Sequence, residues 1–103
     1  MPLPKIDNEY LVGFLVNLLN TPSPTGFTEN AIAFVEKELS QYKQLELSRT
    51  RKGALVAKWS VNESEPPVAL TAHVDTLGAM VKEIKRNGRL KISRIGGLIL
   101  NGV

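Results

Sequence analysis

Val68-Ala69-Leu70-Thr71-Ala72-His73-Val74-Asp75 is the stretch on which the reading of this chain turns. Its first five residues are a nearly uninterrupted apolar run, with Pro67 on one side and charge on the other. Such a run suits a strand covered on both faces, as in the parallel part of an α/β sheet. The run ends on His73, the only histidine in the chain. Ligands of open α/β sheets gather beyond the carboxyl ends of the strands, which is where this spacing puts the imidazole. Asp75 lies two residues on, so in an extended chain its carboxylate leaves the same face. A carboxylate so placed can accept the free ring N–H of a metal-bound histidine and make the coordinating nitrogen more basic. A lone His-x-Asp is a weak pattern, and a single histidine at a strand end is more often a hydrogen-bonded structural residue than a ligand. One histidine cannot hold a catalytic metal by itself, and no second ligand stands out in the sequence.

Upstream of this run the period is helical. Leu11, Phe14, Leu15, Leu18 and Leu19 recur at three-and-four spacing and predict a helix from about Asn8 to Asn20, stopping before Pro22. Asp7 is its expected N-cap, with Ile6 and Leu11 placed for a hydrophobic staple. Thr21-Pro22-Ser23-Pro24-Thr25-Gly26 is turn chemistry, after which Thr25 can cap a second helix ending near Gln41. The buried stripe of that helix should be Ala31, Ile32, Val35 and Leu39. Beyond Tyr42 the alternation of Leu45 and Leu47, the turn signal Lys52-Gly53 and the run from Ala54 to Trp59 predict a two-stranded hairpin. Ser60 to Pro67 reads as a polar surface loop.

Downstream, Asn87-Gly88 divides two alternating segments, Ala79 to Arg86 and Arg89 to Ile95. It is the pair favoured in a type I′ turn, where both central residues take positive φ. Helices, a mixed sheet, a covered strand and then a separate hairpin predict an α/β domain interrupted by the start of a β-rich one. The boundary is expected at residues 77 and 78, dividing 1–77 from 78–103.

Composition narrows the partners. Of 103 residues, 43% are hydrophobic and 22% charged, the balance of a soluble globular chain of one domain at most. A net charge of +3 raises the question of nucleic acid. Lys82, Lys85, Arg86, Arg89, Lys91 and Arg94, however, are spread along a hairpin with no aromatic residue among them to stack a base, so they read as a solvated face. Without cysteine, any metal must take nitrogen and oxygen ligands. Met1 to Tyr10 has no secretory pattern and no apolar stretch approaches membrane-spanning length, so a cytoplasmic protein without a membrane partner is expected.

The block Ala72-His73-Val74-Asp75-Thr76-Leu77-Gly78-Ala79-Met80-Val81-Lys82-Glu83-Ile84, continuing through Asn87-Gly88-Arg89-Leu90 to Arg94-Ile95-Gly96-Gly97, resembles the signature that opens the inserted domain of M42 metallo-aminopeptidases. Pro24-Thr25-Gly26-Phe27-Thr28-Glu29 is similar to that family's capped helix start, and Lys52-Gly53-Ala54-Leu55-Val56-Ala57 to its second strand. The resemblance implies the N-terminal part of a zinc-exopeptidase-type α/β/α domain, followed by the first hairpin of an inserted, β-barrel-like dimerisation domain. It implies that His73 binds one of two divalent metals, zinc or cobalt, and that Asp75 is a catalytic residue supporting that ligand. Peptide substrates and a homo-oligomer are implied as partners. The family's remaining ligands and its general-base glutamate fall downstream of Val103, so the sequence reads as truncated and inactive alone. The chain departs from many members at Thr76, where they carry glutamate, and at Ala54, where they carry asparagine. Two other readings stay open: a non-catalytic fragment or oligomerisation module, and a related di-metal deacylase or dipeptidase.

Overall fold

A computed structural model describes residues 2–59 and 66–97. The expected surface loop falls outside the described residues except for Pro66 and Pro67, and the apolar tail from Leu98 falls outside them entirely. The first helix, α1, spans Asn8–Leu19. Asp7 starts it as expected: its backbone is extended, and its carboxylate accepts the Tyr10 N–H at 3.0 Å. Asp7→Ala should therefore cost α1 about 1 kcal/mol, which corresponds to roughly five-fold faster amide hydrogen exchange in its first turns. Unchanged exchange at Leu11 would show that this bond does not hold the helix end.

The second helix, α2, spans Glu29–Leu39. It leans on α1 through Phe14 and Phe34, whose ring centroids lie 5.2 Å apart, and the Tyr10 hydroxyl donates to the Glu38 carboxylate. Two antiparallel hairpins complete the architecture. Strand β1 (Leu45–Arg49) pairs with β2 (Leu55–Trp59), and β3 (Gly78–Ile84) pairs with β4 (Leu90–Ile95) across an irregularity between Val81 and Glu83. Arg49 at the end of β1 ties the first hairpin to α2. Its guanidinium donates to both oxygens of Glu29, at 3.0 and 3.1 Å, and to Glu36, and it holds the Glu36 carboxyl below the usual range.

Both hairpin loops are built alike. In the first, Gly53 N–H donates to Thr50 C=O at 2.9 Å and Thr50 N–H to Ala54 C=O at 2.8 Å, with Gly53 at φ +87°. In the second, Gly88 N–H donates to Lys85 C=O and Lys85 N–H to Arg89 C=O, both at 2.9 Å, with Gly88 at φ +78°. This corrects the type I′ expectation at Asn87-Gly88. Only the glycine takes positive φ, as in a three-residue loop whose last position is left-handed; that loop also suits the strand twist and spares Asn87 the strained conformation.

One larger expectation is not met among the described residues. Residues 68–72 form no strand, and Val68 and Leu70 are 89% and 96% exposed. A covered strand needs ladder partners on its edges and layers on its faces, yet among the described residues β1 and β2 pair only with each other, as do β3 and β4. The mixture of helices and small antiparallel sheets is compatible with an α/β chain, and no three-layer arrangement is seen among the described residues. Nor is there one packed core. Ala31 is the only buried apolar residue among those described, and the radius of gyration is 18.7 Å, against roughly 13 Å for a compact domain of this length. Of the α1 stripe only Phe14 and Leu18 are partly covered, while Met80, Ile84, Leu90 and Ile92 of the second hairpin are more than half exposed.

Candidate active site

The loop between the helices places the site. Thr25 does not cap α2: the N-cap is Thr28, which makes no side-chain cap bond. Residues 23–25 instead lie alongside Thr76 as a short parallel bridge. Thr76 N–H donates to Ser23 C=O at 2.8 Å, and Thr25 N–H to Thr76 C=O at 3.2 Å. Gly78 makes this approach possible, since a Cβ there would come within 2.7 Å of Pro24 Cβ. Phe27 N–H closes the turn on Pro24 C=O at 2.8 Å, with Gly26 at φ +89°.

The bridge brings three side chains together. His73 Nδ1 lies 2.9 Å from Asp75 Oδ1 and 3.2 Å from the Asp75 carbonyl oxygen. The other carboxylate oxygen, Oδ2, accepts the Thr25 hydroxyl at 2.8 Å. The Thr25 hydroxyl first, and the His73 ring second, hold the Asp75 carboxyl below its ordinary range. Nδ1 faces only acceptors, so in the neutral ring it carries the proton and the lone pair is left on Nε2. The His73 side chain is 85% exposed and that of Asp75 40% exposed. The chain thus presents Nε2 to solvent on a ring oriented by a carboxylate, the form in which an imidazole binds a metal ion.

A cleft of about 480 Å³ runs from this group along the inner sides of α2 and β2, walled by Ile32, Val35, Leu39 and Leu55. A hollow of about 550 Å³ beside Lys5, Asp7 and Glu9 lies away from these groups, at the start of α1. Among the described residues no three histidine, cysteine, aspartate or glutamate side chains group to hold a metal. A catalytic zinc takes three protein ligands and keeps one position open, so the donor chemistry of His73 and Asp75 fits one ligand position and not a whole site.

Both residues singled out in the sequence are therefore in contact, on a segment outside any strand rather than at the end of a covered one. Thr25 pairs with Asp75 and not with the head of α2. The available signal was Gly78 at the start of an alternating segment, since a strand glycine often marks close backbone approach.

Comparison with known proteins places the chain in a family. Residues 53–102 match the model of the M42 glutamyl aminopeptidase family. Over 86 residues, 84% of the chain, the sequence is 49% identical to a protein of Bacillus subtilis (strain 168) named "Putative aminopeptidase YhfE". The chain spans 25% of that relative's length. It belongs to the M42 peptidase family and corresponds to part of such a protein.

Proposed function

We propose that the full-length protein is a metal-dependent aminopeptidase that hydrolyses N-terminal residues from peptides. The observation that carries this reading is the His73–Asp75 contact of 2.9 Å, which leaves Nε2 free, within the segment that matches the M42 family. His73 would hold one of two divalent metals, zinc or cobalt, through Nε2, and Asp75 would hold the ring in the binding tautomer. The metals, when bound, supply an activated water and a polarised scissile carbonyl. This chain's own contribution is orientation: one ligand nitrogen aimed outward, beside an apolar cleft. The remaining ligands are expected elsewhere in the full-length protein, and the 103 residues alone are expected to be inactive.

The β3–β4 hairpin is proposed to belong to an inserted dimerisation domain, and its exposed Met80, Ile84 and Ile92 support that placement. Incubating full-length protein with a peptide bearing a free N-terminus and with its N-acetylated twin tests the function. Release of the first residue from the free peptide alone, lost with chelator and restored by zinc or cobalt, is the expected result. Equal cleavage of both peptides, or cleavage indifferent to chelator, would overturn the reading.

A further inference from the structure

The sequence gives Thr25 no role beyond a helix cap, and the fold withholds that one. Its hydroxyl is spent on Asp75 Oδ2 at 2.8 Å, across fifty residues of chain. We propose that Thr25 is a positioning residue, whose hydroxyl fixes the rotation of the Asp75 carboxylate so that Oδ1 holds the Nδ1–H of His73 and Nε2 stays free. This rests on the reading of His73 as a ligand only for its functional meaning; the positioning itself stands on geometry.

Three observations support it. A carboxylate on its own turns freely about its last torsion, whose wells are broad and two-fold. With only His73 as partner, Asp75 could exchange its two oxygens or swing to water. Thr25 occupies the second oxygen and removes that freedom. Next, the hydroxyl is delivered by a fixed backbone. Thr25 N–H is bonded to Thr76 C=O and Ser23 C=O to Thr76 N–H, so the backbone leading into the threonine is anchored at two points to the residue that follows Asp75. Little further entropy is lost when the hydroxyl bonds, and the β-branch limits its rotamers. Finally, Gly78 lets Pro24 sit against the chain where any side chain would push the loop away.

The test uses the full-length protein, with the His73 signals assigned by their loss in His73→Gln. Nitrogen-15 NMR correlation of that imidazole, at a pH where the ring is neutral, reports which nitrogen carries the proton. The unmodified protein should show the Nδ1–H tautomer in excess. Thr25→Val removes the hydroxyl and keeps the shape, and should lower the ratio of Nδ1–H to Nε2–H by about three-fold, the scale of one modest hydrogen bond. Thr25→Ser should restore it. An unchanged ratio in Thr25→Val, or an equal fall in Thr25→Ser, overturns the proposal. If exchange at the Thr76 N–H shows that valine has opened the loop, Thr25→Ala takes its place under the same criteria. Adding millimolar zinc to the unmodified full-length protein, first stripped with chelator, tests the ligand reading separately. A zinc-induced shift at Nε2 supports that reading; its absence counts against His73 as a ligand and leaves the tautomer result to decide on Thr25.

Discussion

His73→Ala should lower aminopeptidase turnover of the full-length protein by roughly a thousand-fold. The metal is asked for several kcal/mol of charge stabilisation in the transition state, and each 1.36 kcal/mol is about tenfold in rate. Loss of the nitrogen that aims at the metal forfeits much of that. Stability should hardly change. The ring is 85% exposed and among the described residues its hydrogen bonds go only to Asp75, so its removal opens no cavity. Exposed substitutions of this kind stay within about 0.5 kcal/mol. Turnover measured beside the thermal midpoint separates the two effects. Retained turnover, or a collapse of the fold that accompanies its loss, would remove His73 from the site.

Local structure was legible where the signal was local. Asp7 announced its helix because a carboxylate before an apolar stripe can reach the N–H groups that the first turn leaves open. Lys52-Gly53 announced its hairpin because glycine takes positive φ without strain. At Asn87-Gly88 the same logic found the turn and mistook its type, since one left-handed residue was enough. The failures are long-range. An apolar run such as residues 68–72 states that it is to be covered, but which strands cover it is not written in the run. Among the described residues nothing does, and Leu70 stands 96% exposed. Thr25 shows the same limit in the site. Threonine before glycine at the head of a helix has the chemistry of a cap, and only the fold shows Asp75 within reach. The pairing of His73 with Asp75 was legible because two residues of spacing nearly determine it.

Gly78→Ala should be the most damaging single-atom addition among the described residues that touch the site. The new Cβ would lie 2.7 Å from Pro24 Cβ, inside any contact that carbon atoms keep. Pro24 cannot swing clear, because its Cβ is fixed in a ring and its backbone lies in the bridge to Thr76. The loop must therefore move as a unit, and the bonds at 2.8 and 3.2 Å on either side of Thr76 must stretch or break. Overpacking of this kind costs about 1–3 kcal/mol, and it should appear as faster amide exchange at Thr25 and Thr76 while β1 and β2 are unaffected. Because the hydroxyl of Thr25 leaves with the loop, turnover of the full-length protein should also fall, by about ten-fold or more, the usual effect of losing a partner behind a metal ligand. Gly13→Ala is the control. It lies in mid-helix with nothing within 4 Å of its added carbon, and alanine there should strengthen α1 by about 0.8–1 kcal/mol. Opposite signs at two glycines, predicted from the space around each, separate close approach from mere loss of flexibility. Protection at Thr76 that survives Gly78→Ala would mean that the loop is not clamped to the Asp75 segment at all.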